Sequence, residues 1–373
     1  MGNACRLFVG IGEPGPPGMR ISFVVLVLAF AGLLAVDLAP SAASRKAAAA
    51  ALRTVLQSAP ATVEVAFVRN GRLVRVERIV PEGVAQEVHA LRELVQGPTR
   101  LERRRGIRTA IPEGVRLRSL RADGEAWLAS FSRSLLGAGA PATKETRLAQ
   151  ISATLARLGD LQYASVATEG RLVTTFRLGM SPDAWRAETG ENDYRYVVRG
   201  IQLRLWLLGY LDRADVTGEL DYLTEQALLA FQGWEELDRT GSITGQTQVA
   251  LFTASRPEPS ARRSGTRIEI YRDLGVLLMV DSGEVMRVIH ASTGMAGLTP
   301  GGSFRIYVKA LLSWSVPFKV WMPYAAYFTG GIATHQSPYV PSYPASHGCI
   351  RLPEGEAERV YRFVEVGTPV AVY

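Results

Sequence analysis

The chain has 373 residues, of which 47% are apolar and 21% are charged. This length exceeds a single typical hydrophobic core and predicts two or three domains, and the composition excludes a largely disordered chain. The formal net charge is +7, and the basic excess is concentrated in residues 60–180, which hold 19 Lys and Arg against 12 Asp and Glu. Such a surface is either an ordinary solvated face or one that attracts an anionic polymer or a membrane surface.

The N-terminal residues 1–43 have the pattern of an export signal. Arg20 precedes sixteen uncharged residues, Ile21 to Val36, and small residues that fit a cleavage site follow up to Ala43. Sixteen residues are short for a membrane-spanning helix, which needs about 20, so a cleaved signal peptide is favoured over a retained membrane anchor. The protein is therefore expected outside the cytoplasm, secreted or anchored, where nucleic acid is excluded as a partner.

Residues 60–180 are predicted to form an α+β domain that follows an Ala-rich spacer at 44–59. Alternating apolar residues on both sides of Asn70-Gly71 predict a β-hairpin. The runs Leu91 to Thr99 and Ile107 to Leu117 resemble the GerMN module of spore-germination and wall-associated proteins. This resemblance implies an exported α+β module without a settled chemistry.

Residues 194–254 are predicted to form a compact three-helix bundle, between linkers at 181–193 and 255–264. Apolar residues recur at helical spacing, and Gly and Thr turns separate the three helical runs. The sequences Leu208-Gly209-Tyr210 and Ala230-Phe231-Gln232 resemble the type 1 peptidoglycan-binding domain, which implies that the bundle binds peptidoglycan. Aromatic residues on such helices are more often core than sugar-stacking platforms, so this prediction depends on the resemblance.

The C-terminal residues 265–373 are predicted to form a mostly β, sandwich-like domain. Arg267 to Tyr271 alternates as a strand, and Asp281-Ser282-Gly283 indicates a hairpin between two β-rich runs. Short strands separated by Gly and Pro turns are typical of a sandwich. His290 lies in the second of these runs and is interpreted as a structural residue.

A thiol nucleophile with an imidazole base is predicted near the C-terminus. Cys349 is the only cysteine outside the predicted signal, so it does not belong to a disulfide framework. The preceding Ser346, His347 and Gly348 fit a strained turn whose backbone N–H groups bind a developing oxyanion. Both His335 and His347 are candidates for the base that generates the thiolate, and an extended chain would place His347 on the same face as the thiol.

The sequence Ser346-His347-Gly348-Cys349 with an upstream histidine resembles the L,D-transpeptidase, or YkuD-type, catalytic domain. The resemblance covers residues 265–373, including the loop Thr299 to Gly302, and implies a cofactor-independent enzyme that cross-links peptidoglycan stem peptides in the cell wall. It implies that His335 is the base and that the second histidine shapes the pocket. One departure is Gln336, where the family commonly has glycine, so the loop that holds the base is expected to differ.

The resemblance also implies a reaction and a pocket. Cys349 would attack the third residue of a donor tetrapeptide stem, release the terminal D-Ala, and pass the acyl group to the amine of a neighbouring stem in a 3→3 link. Carbapenems would acylate the same thiol. Around it, Gly348 and Ser346 are expected at the oxyanion site, while Arg351 either holds a stem carboxylate or tethers its loop by a salt bridge. The residues expected to wall the pocket, each with core packing as the alternative, are Tyr324, Phe328 and Tyr343.

Other interpretations of the same residues stay open. The side chains of His335, His347 and Cys349 are of types that bind zinc. However, His347 and Cys349 are too close together in sequence for tetrahedral coordination of one ion, so no metal is expected. A buried and inert cysteine is the plainest alternative. Hydrolysis of the same acyl-enzyme by water would make the protein an L,D-carboxypeptidase, and loss of catalysis would leave a non-catalytic wall-binding protein.

Overall fold

The residues described by the computed structural model are 46, 60–137, 141–181, 184 and 193–373. The chain divides into two units, Met1–Ala61 and Thr62–Tyr373. The predicted signal at 1–43, all of the spacer at 44–59 except one residue, and most of the linker at 181–193 lie outside the described residues. Within the described part of the chain, no helix is both long enough and apolar enough to cross a membrane.

The first region is an α+β fold, as predicted. Its helices and strands are β1 (Thr62–Arg69), β2 (Arg72–Ile79), α1 (Gln86–Gln96), α2 (Arg100–Arg104), β3 (Leu117–Asp123), β4 (Ala126–Phe131), α3 (Pro141–Leu155), β5 (Tyr163–Thr168) and β6 (Arg171–Arg177). β1 and β2 form a two-stranded sheet, and the other strands form a sheet of order β3-β4-β5-β6. Asn70 and Gly71 join β1 to β2 with positive φ angles, which suit a tight turn, so the predicted hairpin is confirmed.

The second region contains the three predicted helices, α4 (Asp193–Leu207), α5 (Tyr222–Trp234) and α6 (Gly245–Thr253). Asp221 and Thr244 cap the N-termini of the last two helices. The side chain of each accepts a hydrogen bond from the backbone N–H three residues later. Phe231 on α5 is fully buried, so this aromatic residue is core. The helical bundle is confirmed.

The third region is a sandwich of two sheets, as predicted. Its elements are β7 (Arg267–Tyr271), β8 (Val276–Asp281), β9 (Glu284–His290), β10 (Gly302–Arg305), β11 (Val308–Ser315), β12 (Val320–Thr329), β13 (Ile332–Gln336), β14 (Ile350–Leu352), α7 (Glu356–Phe363) and β15 (Pro369–Val372). One sheet has the order β10-β15-β7-β8-β9, and the other has the order β11-β12-β13-β14. Side chains of both sheets and of α7 meet in one core, which includes Ile270, Phe328, Ile350 and Val360.

A shared hydrophobic core joins these three regions. It contains Leu128 and Leu172 from the first region, Phe231 from the bundle, and Val276 and Val288 from the sandwich. Burial of apolar surface contributes about 25 cal/mol per Å² to the free energy of folding, so a shared core of this kind stabilises the contact between neighbouring regions. The helical bundle therefore packs against the sandwich through this core.

A buried ion pair strengthens the contact between the bundle and the first region. Arg204 on α4 is 1% exposed, and its guanidinium donates to the Asp123 carboxylate at 2.8 Å. The same guanidinium donates to the carbonyl oxygens of Leu251 and Ala254. These bonds satisfy a charge that would otherwise be costly to bury.

Arg204→Met is expected to lower the free energy of unfolding by about 3 kcal/mol, because it leaves a carboxylate and two carbonyls without their buried donor. Arg262→Met is the matched control, since Arg262 pairs with Glu258 on an exposed surface. Arg262→Met is expected to lower the free energy of unfolding by at most about 0.5 kcal/mol. Chemical denaturation of both variants measures the difference, and equal losses would show that the buried pair contributes no more than a surface pair.

Candidate active site

Cys349 lies on the face of the second sheet that points away from the sandwich core. It directly precedes β14, whose Ile350 and Leu352 are buried in that core. Because successive side chains of a strand point to opposite faces, Cys349 and Arg351 project from the other face. The partly buried thiol packs there against a cluster of buried apolar side chains, Met322, Ala325 and Ala333, against which Tyr327 also packs.

Strand β13 brings His335 to the same face as the thiol. β13 and β14 are parallel, with His335 opposite Arg351 and Thr334 opposite Ile350. Opposed residues of neighbouring strands share a face, so His335 lies on the same face as Arg351. Cys349 is two residues before Arg351 and therefore also lies on the face of His335. The imidazole is largely buried, at 8% exposure. The fold therefore brings together the two groups that the sequence singled out as nucleophile and upstream base.

The tautomer of His335 follows from its hydrogen bond. Nδ1 lies 2.8 Å from the backbone oxygen of Gln336. A carbonyl oxygen only accepts hydrogen bonds, so Nδ1 carries the proton of the neutral ring and Nε2 keeps a free lone pair. Gln336, the departure noted in the sequence, thus supplies the carbonyl that orients the ring.

Burial sets the protonation states of both groups. It lowers the pKa of His335, and the nearby charge of Arg351 adds to this, although the bond to Gln336 acts in the opposite direction. Burial raises the pKa of the Cys349 thiol, against smaller effects of a backbone hydrogen bond with Ala333 and of the Arg351 charge. Thiol and imidazole are therefore both neutral at neutral pH, and the thiol needs a base that removes its proton as it attacks.

His347 is oriented away from this role. Its exposed ring stacks on Phe318, with ring centroids 4.5 Å apart and planes 23° apart. The backbone around His347 bends and does not form a strand, so the shared face expected for His347 and Cys349 does not occur. Among the described residues the Cys349 thiol bonds to neither histidine and lies 3.9 Å from the Gly331 oxygen. Nor does that part of the chain hold any cluster of three metal-ligating side chains.

Two hydroxyl groups hold the loop that carries the thiol. Ser346 Oγ donates to the Cys349 oxygen at 2.6 Å and accepts from the Gly348 N–H at 3.0 Å. Thr299, which is fully buried, donates to the Gly348 oxygen at 2.7 Å and accepts from the Gly294 N–H at 2.8 Å. The two carbonyls on either side of the Cys349 N–H are thereby fixed in direction, and with them that N–H group.

Two backbone N–H groups beside the thiol have no acceptor within the described residues, those of His347 and Cys349. The N–H of Gly348 is different, because Ser346 accepts its hydrogen bond. Gly348 contributes its conformation instead: its φ is 127°, and a Cβ there would lie 3.1 Å from Ile332. Free, fixed N–H groups of this kind are what an oxyanion binds.

Arg351 presents an unpaired guanidinium next to the histidine. Its backbone bonds to Ser292, but no carboxylate in the described part of the chain forms an ion pair with its side chain. The salt bridge considered as its alternative role is thus not seen there. The exposed Tyr339 and Tyr343 stand nearby, and their hydroxyl oxygens are 3.0 Å apart.

Two of the three predicted pocket walls lie elsewhere. Phe328 is 3% exposed and packs on Phe304 inside the sandwich, which is the core packing that the sequence left open as its alternative to a pocket wall. Tyr324 packs against the same core and edge-on to Tyr361. Alternation along β12 explains both placements, since the neighbouring Tyr327 packs on the buried cluster against which the thiol also packs. Tyr343 is exposed, as a pocket wall requires.

The sequence did not single out three residues that contact the site. Thr299 belongs to a loop that the resemblance included, and a hydroxyl in a buried turn is a signal that could have identified it. Tyr327 lies two residues after Ala325 and so on the same face of β12. It could have been predicted if the face of β12 that points to the site had been known. Phe318 lies in the turn between β11 and β12, and no local pattern indicates that it meets a residue of a distant loop.

Three protein families match successive parts of the chain. Residues 265–372 match the L,D-transpeptidase catalytic domain, and residues 196–251 match a putative peptidoglycan-binding domain. Residues 64–174 match a family described by sporulation and spore germination. All three resemblances predicted from the sequence are confirmed. No curated protein matches the chain.

Solved structures of L,D-transpeptidases are similar to this chain. One from Xylanimonas cellulosilytica is 35% identical, and the match covers 47% of this chain and 92% of the other, with a TM-score of 0.45. One from Stackebrandtia nassauensis is 24% identical over 48% and 90%, with a TM-score of 0.33, and one from Mycobacterium smegmatis is 26% identical over 30% and 59%, with a TM-score of 0.28. The chain therefore carries an L,D-transpeptidase catalytic domain at residues 265–372, after a peptidoglycan-binding domain at residues 196–251.

Proposed function

We propose that this enzyme cross-links peptidoglycan stem peptides through a thioester on Cys349. The observation that carries the proposal is the placement of the Cys349 thiol and the His335 imidazole on one face of the sheet, with Nδ1 of the imidazole engaged by the Gln336 oxygen. Such a pair generates the nucleophile only during attack, when Nε2 accepts the thiol proton. His335 is therefore proposed as the base, and His347 as a residue that shapes the pocket.

The first half of the reaction forms the acyl-enzyme. Cys349 Sγ bonds to the carbonyl carbon of the third residue of a donor tetrapeptide while His335 Nε2 takes the proton. The N–H groups of His347 and Cys349 bind the oxyanion, and Thr299 and Ser346 hold these donors in place. The C–N bond to the terminal D-Ala then breaks, and the leaving amine takes the proton from His335.

The second half transfers the acyl group to an acceptor. The side-chain amine of a neighbouring stem attacks the thioester, His335 accepts a proton from that amine, and the thiol leaves with the same proton. A new amide forms and no cofactor is consumed. If the acceptor is the diamino acid at position three of its stem, the product is a 3→3 cross-link. The covalent intermediate predicts ping-pong kinetics.

Arg351 is proposed to bind the free carboxylate of the donor stem. Its guanidinium lies on the same face as the thiol and has no carboxylate partner among the described residues. A guanidinium binds a carboxylate with two parallel hydrogen bonds, which fixes orientation as well as position. Tyr343, whose hydroxyl contacts that of Tyr339, is proposed to line the same side of the pocket.

Water and the acceptor amine compete for the thioester, so an L,D-carboxypeptidase is the second candidate function. The apolar packing of the thiol against Met322, Ala325, Ala333 and Tyr327 favours transfer to the amine, because it limits the access of water. The bundle at 194–254 is proposed to hold peptidoglycan beside the catalytic domain at 265–373. Both are proposed to act outside the cytoplasm, with export directed by the segment 1–43.

Mass spectrometry of products from a disaccharide-tetrapeptide tests the proposal. The full chain is expected to yield a cross-linked dimer with loss of D-Ala, and Cys349→Ala is expected to yield none. A carbapenem is expected to add its mass to the full chain at Cys349 and to leave the variant unchanged. Tripeptide as the sole product would establish the carboxypeptidase instead, and absence of both turnover and adduct would leave a non-catalytic wall-binding protein.

A further inference from the structure

Six arginines form an exposed cluster at one end of the first region, which we call the arginine surface. All six side chains are exposed, and none forms an ion pair within the described part of the chain. The members of the arginine surface are Arg69, Arg72, Arg103, Arg104, Arg105 and Arg108. Protein surfaces usually mix charges of both signs, so six unpaired cations on adjoining segments indicate a partner of opposite charge.

The fold gathers these arginines from two separate stretches. Arg69 and Arg72 face each other across the β1–β2 turn. Arg108 is joined to Val68 by two backbone hydrogen bonds of 2.8 and 2.7 Å, which places it beside Arg69. Its guanidinium also donates to the Arg103 oxygen at 2.6 Å, which connects it to the end of α2. The hairpin turn and the loop after α2 therefore present one continuous cationic surface.

The carboxylate nearest in sequence does not neutralise this surface. Glu102 lies inside the arginine run, but Arg78 donates to both of its oxygens at 2.9 and 2.8 Å. Glu102 also accepts from the Thr99 backbone in the capping box of α2, so it is fully engaged on the side of the helix that faces β2. The positive charge of the arginine surface remains for an external anion.

We infer that the arginine surface binds a linear polyanion whose repeating units carry phosphate or carboxylate oxygens. Guanidinium groups are planar forks that match both oxyanions bidentately, and they keep their charge at every physiological pH. A row of them attracts a polymer with repeated charge much more strongly than a single small anion, because each contact releases counterions from the polymer. This site is independent of Cys349, and it would hold the protein on a charged polymer rather than take part in transfer.

The observations favour a polymer over a membrane surface. Surfaces that dock on lipid combine cations with apolar side chains that enter the acyl layer, but Leu101 is the one large exposed apolar residue beside these arginines among the described residues.

Binding of the full chain to three probes tests the inference: poly(glycerol phosphate), polyglutamate, and vesicles of phosphatidylglycerol in phosphatidylcholine. The patch variant replaces three arginines whose side chains make no hydrogen bond in the described structure, so that folding is preserved: Arg69→Gln, Arg72→Gln and Arg105→Gln. The control variant removes the same charge from exposed positions outside the arginine surface: Arg92→Gln, Arg116→Gln and Arg177→Gln.

The patch variant is expected to bind the polymer at least about tenfold more weakly at low salt, with a shallower dependence on salt concentration, and the control to stay within about twofold. The polymer that binds more tightly identifies whether the preferred oxyanion is phosphate or carboxylate. Equal weakening in both variants would mean that only net charge matters and would overturn the inference. Vesicle binding without polymer binding, or no binding to any probe, would overturn it too. Turnover of a soluble tetrapeptide is expected to be unchanged in both variants, which separates this result from a failure of the proposed reaction.

Discussion

His335→Ala is expected to lower kcat/KM for a disaccharide-tetrapeptide by about 10³-fold, because a positioned general base contributes about 10² to 10⁴. The reason is that burial keeps the Cys349 thiol protonated, so attack without a base must wait for the rare thiolate. Steady-state kinetics, with released D-Ala as the readout, measure the loss. Circular dichroism of the variant confirms that it is folded.

The same variant is expected to change the dependence on pH. In the unmodified enzyme kcat/KM falls as the pH decreases through the lowered pKa of His335, because the protonated ring no longer accepts the thiol proton. That acid limb therefore lies below the ordinary histidine value of about 6.5. In His335→Ala the acid limb is replaced by a rate that rises with pH up to the raised pKa of the thiol, since only the thiolate reacts.

His347→Ala is the matched control for the base. Its ring lies on Phe318, outside the ladder that joins His335 to the thiol, so its loss is expected to reduce kcat/KM by no more than about tenfold and to keep the acid limb. A larger loss in His347→Ala than in His335→Ala would reverse the proposed roles. It would also restore the alternative that the sequence left open, in which the neighbouring histidine is the base.

Local patterns were enough to predict most of the elements that position the site. Asn70-Gly71 predicted its hairpin because both residues accept positive φ at low cost. Alternation predicted β7 and the pair β8–β9, and helical spacing predicted the three helices of the bundle. Cys349 and His335 were identified by residue type and by resemblance, and the structure brings them to one face of the sheet.

The face on which a strand residue lies was harder to predict. Tyr324 has a φ of 55°, and the register of β12 with β13 shifts between Tyr327 and Thr329. The positive φ of Tyr324 interrupts the two-residue period, because Met322 packs in the cluster beside the thiol whereas Tyr324 and Phe328 pack in the sandwich core. The sequence pattern alone therefore did not decide between the pocket and the core for these two aromatic residues.

Contacts between regions could not be predicted from local patterns at all. The core shared by the bundle and both neighbouring regions joins residues from three separate stretches of the chain, and the pair of Arg204 with Asp123 joins residues that are 81 positions apart. Nothing in the sequence near Arg204 distinguishes it from an exposed helical arginine. The predicted linker at 255–264 likewise forms bonds, such as that from Ser260 to the buried Glu269.

Thr299→Val is expected to lower kcat by about 10²-fold, although Thr299 touches neither substrate nor thiol. Its hydroxyl fixes the Gly348 oxygen at 2.7 Å and so directs the peptide N–H of Cys349 into the pocket. Valine keeps the volume but removes that bond, and loss of one oxyanion donor typically costs about 10² to 10³ in kcat. Thr299→Ser keeps the hydroxyl and is expected to retain most of the activity.

A purely structural role for Thr299 predicts a different result, because unfolding would affect every reaction of the thiol. We expect Thr299→Val to slow acylation by substrate and by a carbapenem, since both pass through a tetrahedral oxyanion. Alkylation by iodoacetamide forms no oxyanion, so its rate is expected to stay within about twofold of that of the unmodified enzyme. If alkylation and acylation slow equally, or if Thr299→Ser loses as much activity as Thr299→Val, the hydroxyl supports the loop as a whole and does not aim the Cys349 N–H.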